Sequence, residues 1–225
     1  MTGEKYYATV AADVVLFALK ENRLHVLLIQ RGHPPFEGMW AFPGGIVEPH
    51  EPLAAAARRE LAEETGITDV PYLRQLAAFG DPERDPRGRV ISIAYWGLLP
   101  QAAEVRGGDD AARARWWPTQ EPPPLAFDHA QILDCALQQV RTLVEQDQRL
   151  LFHLVSSPFT LTELQRALEA ILGHSVDKRN FRRQILARGW LEPATVRSHQ
   201  GPGRPAQEYR PRPDACLPSP DDRCV

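Results

Sequence analysis

A chain of 225 residues, 43% hydrophobic and carrying a net charge of −3, can bury a substantial core and suits one large or two small domains. Its three cysteines, Cys135, Cys216 and Cys224, form no CxxC pair or metal spacing, and an odd number argues against a disulfide scaffold. No basic start leads into an apolar signal core and no run of about 18 apolar residues occurs, so a cytoplasmic protein with no membrane partner is expected. Tyr7 to Leu19 is rich in Val, Ala, Leu and Phe, the polar stretch Lys20-Glu21-Asn22-Arg23 turns the chain, and Leu24–Ile29 is a second apolar run. Short apolar runs bounded by turn residues predict a pair of sheet strands. Trp40 to Ile46 (WAFPGGI) predicts a loop whose two glycines let backbone approach a ligand. Pro52 at a first helical position and Gly66 at a C-cap predict a helix over roughly 52–65. Ala54, Ala57 and Leu61 would bury against the sheet.

The segment from Phe79 to Pro100 reads as a turn-rich loop, GDPERDPRG, followed by a strand over Val90–Leu99. Ala111–Trp117 follows the acidic pair Asp109-Asp110, and four prolines within Pro118–Pro124 exclude a helix interior. Asp128 to Glu145 predicts a long helix with Ile132, Leu133, Leu137, Val140 and Val144 along one side, carrying the first domain into the second. Strands mixed with two helices over residues 1–147 predict an α/β sandwich.

The texture changes near Leu150. Leu150–Val155 predicts a short helix stopped by Ser156-Ser157-Pro158. Thr160-Leu161-Thr162-Glu163 is a capping box leading a stripe of Leu161, Leu164, Leu168 and Ile171. Asp177 opens a further helix with Phe181 and Ile185 buried, closed by Gly189. Trp190-Leu191 begins a strand, and Val196–Arg210 predicts a hairpin with a Gly/Pro tip. Three helices and a basic hairpin over 148–212 is the order of a winged helix-turn-helix. Residues 213–225 show no pattern and are expected to be disordered. Charge follows the same division: residues 1–150 hold 15 Lys+Arg and 21 Asp+Glu, whereas 151–225 hold 11 and 8.

The stretch GIVEPHEPLAAAARRELAEETGI, residues 45–67, carries the chemistry. Glu60, Glu63 and Glu64 share one helical face, where like charges normally repel. A divalent cation with oxygen ligands offsets that repulsion, and such a cation commonly meets phosphates. The spacing G-x5-E-x7-R-E-L-x-E-E-x-G-I, at Gly45, Glu51, Arg59, Glu60, Leu61, Glu63, Glu64, Gly66 and Ile67, resembles the Nudix box. That resemblance implies hydrolysis of a nucleoside diphosphate with Mg²⁺ or Mn²⁺. It also implies Glu60 and Glu64 as direct ligands, Glu63 assisting, the Gly44 carbonyl nearby, and Arg59 paired with Glu51. A general base from outside the box is open among Glu83, Asp85, Glu104, Asp109 and Asp110.

FGDPERDPRGRVISIAYWGLL, PFEGMWAFPGG and FDHAQIL resemble a narrower group, the ADP-ribose pyrophosphatases and the Nudix-related transcriptional regulators of NAD metabolism. Arg84, Arg87 and Arg89 offer guanidinium donors to a diphosphate or ribose. Phe79 or Trp40 is a candidate stacker for adenine, although Trp40 also suits a core. In the second domain Lys178, Arg179, Arg182 and Arg183 form a basic strip suited to the major groove, with Arg197, Arg204 and Arg210 on the hairpin for backbone or minor-groove contact. LTELQRALEAILGHSVDKRNFRRQIL and GRPAQEYR resemble the C-terminal domain of the same regulators. The resemblance implies a Nudix α/β/α sandwich followed by a winged helix-turn-helix, a homodimer, and operator DNA released by ADP-ribose. A metal-dependent ADP-ribose pyrophosphatase with an accessory domain is the alternative, and the intact glutamates keep both open.

Overall fold

In the computed structural model of the chain, residues 7–105, 111–194 and 206–218 are described. Strands β1 (Thr9–Lys20) and β2 (Arg23–Arg31) form a hairpin whose two turn residues, Glu21 and Asn22, both take positive φ. That conformation matches the right-handed twist of the flanking strands. β1 and β2 pair only near the turn, from Phe17↔Val26 to Lys20↔Arg23. Farther along, β3 (Trp40–Ala41) pairs β2 and β4 (Gly44–Ile46) pairs β1. The expected glycine loop is therefore two short strands wedged between β1 and β2. It prises the sheet open at that end.

The outer edges of both long strands are taken. β6 (Val90–Leu99) runs parallel to β1, with β5 (Tyr72–Phe79) antiparallel beyond it, while β7 (Ala111–Pro118) lies antiparallel along β2. Alternation along β1 divides the core. Val14, Leu16 and Ala18 face α1 (Leu53–Thr65) and meet Ala56, Ala57 and Leu61. Val15 and Phe17 face α2 (His129–Gln146) and meet Ile132, Leu133, Ala136 and Val140. Period-two side chains on strands and a helix on each face make the α/β/α sandwich. α1 starts behind Pro52 and ends at Gly66, whose φ of 77° is the left-handed conformation a C-cap glycine supplies. Ala54 stays half-buried at the rim.

The second domain is built on α2 rather than beside it. Its first element is a six-residue 3₁₀ helix, Gln148–His153, two residues ahead of the short helix expected over Leu150–Val155. Three residues per turn suit a connector that must bury Leu150, Leu151 and Phe152 within six positions. Then come β8 (Phe159–Thr160), α3 (Leu161–Leu172) and α4 (Lys178–Ala187). Thr160 and Glu163 complete a reciprocal capping box, and Asp177 caps α4 by accepting from Asn180 N at 2.7 Å. Each such cap contributes about 1 kcal/mol. The wing differs in its arms from the expected Val196–Arg210 hairpin: β9 (Leu191–Pro193) pairs β10 (Glu208–Pro211), and β8 completes a three-stranded sheet in the order β8-β10-β9. The Gly/Pro tip lies outside the described residues.

The expected disordered tail is corrected over 213–218. Pro213–Ala215 forms a 3₁₀ turn, Ala215 is buried, and Leu217 packs on the core. Apolar contact with the sandwich holds it. One apolar cluster runs from Phe17 and Trp96 through Val140 and Val144 to Leu164, Leu168 and Phe181, so the two domains share a core. Among the described residues no helix is long and apolar enough to cross a membrane.

Candidate functional site

α1 projects its carboxylates toward the wedge. Arg59 gathers three carboxylates: Nε and Nη2 donate to the two oxygens of Glu51 at 2.9 and 3.0 Å, and Nη1 donates to Glu60 at 2.8 Å and Glu63 at 3.1 Å. Nη2 also donates to the Ile46 carbonyl, which ties β4 to the helix. Arg59 lowers the pKa of Glu51 by direct hydrogen bonding. Burial instead raises the pKa of Glu60, with Arg59 opposing and the Glu63 and Glu51 charges adding to it. Glu64 is buried and accepts from Gly44 N at 2.9 Å.

Among the described residues no three acidic, His or Cys side chains form a ready-made metal cluster. Glu60 and Glu63 turn to Arg59, and Glu64 turns to the Gly44 amide. The residues nevertheless fit a hard divalent cation. They offer carboxylate oxygens, the ligand type such ions prefer. Gly45 also leaves a cradle for Glu60, since a Cβ there would lie 2.5 Å from the Glu60 carboxyl carbon.

On the other side of the wedge lies a cavity of about 400 Å³, within the size range of small-molecule sites. Gly44 and Gly45 line it, so one thickness of backbone separates it from Glu60 and Glu64. Four arginines (Arg31, Arg84, Arg87, Arg89) face two aspartates (Asp13, Asp85) along its walls, leaving a positive excess. Phe127 is the aromatic centre of that wall. Arg31 lies 4.8 Å from its ring centroid, Arg87 5.8 Å and Arg84 6.0 Å. Burial, then the charge of Arg87, lowers the pKa of Arg31.

The predicted arginines are all at the cavity, but their partners differ from expectation. Arg84 is buried and holds Asp128 bidentately at 2.9 and 2.7 Å. Arg87 holds Asp85 the same way, and Arg89 donates to the Gly80 carbonyl. Trp40 and Phe79 are not brought to the cavity. Trp40 meets Trp117 edge-on at 5.3 Å, and both Trp40 and Phe79 pack half-buried against the core shared with α2. Being aromatic beside a motif does not separate a ligand wall from a core. Of the base candidates, Asp85 lines the cavity with both oxygens engaged by Arg87, while Glu83 and Glu104 are exposed and outside its lining. Asp109 and Asp110 lie outside the described residues.

Sequence reasoning missed Asp13, Arg31, Phe127 and His129. His129 is fully buried, accepts from Phe42 N at 3.0 Å through Nδ1, and stacks on Phe42. An accepting Nδ1 places the ring proton on Nε2, 3.8 Å from Asp13 Oδ2. Ser92 also donates to Asp13. The available signal was Asp13 itself, the one charge in the apolar run Val10–Leu19.

The basic strip is partly exposed. Lys178, Arg179 and Arg183 face solvent on α4, and Arg183 donates to Asn180 Oδ1 at 2.7 Å. Arg182 is half-buried and donates to Thr162 Oγ1 at 3.1 Å, bracing α4 against α3. Arg210 lies on β10, 3.6 Å from Glu192. Arg197 and Arg204 fall outside the described residues.

Comparison with known proteins accounts for both halves. The NUDIX domain model matches residues 8–135, and the NrtR DNA-binding winged helix domain model matches residues 151–210. The ADPR responsive transcriptional repressor NtrR of Acinetobacter baylyi is 38% identical over 202 residues, 88% of this chain and 80% of that protein. An ADP-ribose pyrophosphatase of Methanocaldococcus jannaschii is 39% identical over 131 residues, 58% of this chain and 76% of that one. The crystal structure of Shewanella oneidensis NrtR complexed with a 27mer DNA superposes with a TM-score of 0.74 at 33% identity, covering 92% of this chain and 94% of that one. Both halves are thus accounted for, and the chain belongs to the NrtR family of NUDIX domains fused to a DNA-binding winged helix.

Proposed function

We propose that this protein is an ADP-ribose-responsive repressor that binds operator DNA at NAD-biosynthesis genes, as a homodimer in the cytoplasm. One observation carries the reading: an arginine-walled cavity and an exposed basic helix sit at two ends of one continuous core. Guanidinium groups complement a diphosphate, and Phe127 offers a face to a base or sugar. The similar repressor's own name supports ADP-ribose as the effector. Lys178, Arg179 and Arg183 serve the major groove, with Arg210 toward the backbone. A gel shift on DNA upstream of such genes tests the reading: a complex forms, and ADP-ribose dissolves it. A complex indifferent to ADP-ribose contradicts it.

A second activity is favoured by the three retained carboxylates. NUDIX hydrolases generally use a divalent metal, and here Mg²⁺ or Mn²⁺ would be held by Glu60 and Glu64 with Glu63 assisting and the Gly44 carbonyl nearby. When bound, the ion supplies charge neutralisation and a more acidic water. The chain's own part is positional: Arg59 and Glu51 brace β4 on α1, and the cavity arginines orient the diphosphate. Slow hydrolysis of ADP-ribose to AMP and ribose 5-phosphate is the expected result. With Mg²⁺ the protein should release AMP, and Glu64→Gln should nearly abolish release. No turnover at high enzyme concentration leaves a sensor alone.

A further inference from the structure

Asp128 occupies the N-cap position of α2 and does not cap it. The comparison lies within the molecule. Thr160 and Asp177 cap α3 and α4 with extended backbones, ψ 156° and 116°, and each side chain accepts from the third residue of its helix. Asp128 has ψ 18° and makes no side-chain cap hydrogen bond. Both of its oxygens are instead held by Arg84, through Nε at 2.9 Å and Nη2 at 2.7 Å. No other acidic residue stands in the first turn of α2 to complement its positive end. Phe127, immediately before, has φ 53°, a left-handed conformation that is strained for a bulky residue. The chain is therefore wound tightly at the point where α2 meets the cavity.

With ψ at 18°, the Asp128 carboxylate sits on Arg84 and makes no cap hydrogen bond. Arg84 lines the cavity, where an anionic ligand competes for the same guanidinium. At its other half α2 supports the winged helix: Arg141 Nε donates to the Ile171 carbonyl of α3 at 3.1 Å, and Val140 and Val144 lie in one cluster with Leu164 and Leu168. α3 in turn braces α4 through Thr162 and Arg182.

We propose that Asp128 is the residue that couples the cavity to the DNA-binding domain: a diphosphate that takes Arg84 releases Asp128 to cap α2, and the refolded first turn shifts α2 beneath α3 and α4. This rests on the reading of the protein as a ligand-released repressor and names the residue that performs the release. Ligand and cap stabilise the same state, so each favours the other. A ligand shifts an equilibrium only through such differential affinity. Two substitutions then act in opposite directions. Asp128→Ala leaves Arg84 with nothing to surrender and α2 with nothing to gain. Asp128→Asn holds Arg84 weakly yet caps as well as aspartate.

The test uses the full chain and a labelled duplex that the parent protein selects from a random pool. ADP-ribose affinity is read by calorimetry in EDTA, and DNA affinity by fluorescence anisotropy with and without ADP-ribose. In the parent, saturating ADP-ribose weakens DNA binding by about tenfold or more. In Asp128→Ala, ADP-ribose binds more tightly than to the parent, and its effect on DNA shrinks below about twofold. In Asp128→Asn, DNA binding is already as weak without ligand as in the liganded parent. A parental DNA response in Asp128→Ala, or parental unliganded affinity in Asp128→Asn, overturns the proposal. Where Asp128→Ala does not fold, Asp128→Asn alone decides. A parent protein whose DNA binding ignores bound ADP-ribose overturns the repressor reading, and this proposal with it.

Discussion

Gly45 marks how closely the two chemistries of the NUDIX half are packed. Any Cβ there would press on the Glu60 carboxyl group, so Gly45→Ala should displace that carboxylate and slow metal-dependent release of AMP by about tenfold, about 1.4 kcal/mol on the barrier. DNA affinity measured in the same preparation should hold, and an unchanged AMP rate would remove Glu60 from the reaction. His129 gives a second residue-scale expectation. Burial holds its pKa below the ordinary 6.5, with the Asp13 charge opposing. The unfolded chain therefore takes up a proton as pH falls through 6.5 while the fold does not, so stability present above that value is lost on acidification. His153, also depressed by burial, acts in the same direction. Melts at about pH 7.5 and about pH 5.5 should show a smaller loss in His129→Gln than in the parent, and equal losses would contradict the assignment. What was legible at this scale followed function type. The glutamates and Arg59 sit in a fixed spacing along one helix, so sequence alone reached them. Phe127, Asp13 and Arg31 become neighbours only when β3 and β4 wedge open β1 and β2, which no local pattern announces.

At the scale of elements, ends of helices and the local β1–β2 hairpin were readable, and strand partners distant in the chain were not. Pro52, Gly66, Thr160 with Glu163, and Asp177 act within a turn of their own positions, and the helices begin and end where that chemistry places them. β9 and β10 pair across a gap of many residues, so the wing's arms were misplaced in the sequence reading. Among basic residues of α4, side-chain surroundings rather than spacing sort the roles. Arg179 and Arg183 are exposed and suit phosphate contacts, whereas Arg182 is spent on Thr162. Arg179→Ala and Arg183→Ala should each flatten the salt dependence of DNA binding by about one unit. Arg182→Ala should leave that slope nearly intact while lowering the melting temperature. If Arg182→Ala changes the slope and the other two do not, the assignment of faces on α4 is reversed.

Over the whole molecule, the continuous core decides what the carboxylate helix means. A NUDIX half connected by a loose linker would carry an accessory DNA domain without consequence for either. Here α2 lines the cavity with its first residue and supports α3 with its later turns, so one helix touches both the cavity and the second domain. That arrangement favours reading a nucleotide over merely consuming it. The most direct measurement is the anisotropy of a labelled operator duplex bound by the full chain, titrated with ADP-ribose and separately with AMP and ribose 5-phosphate. ADP-ribose should return the signal to that of unbound duplex, and the two products should not. An unchanged DNA affinity at ADP-ribose concentrations that calorimetry shows to saturate the cavity would contradict the account.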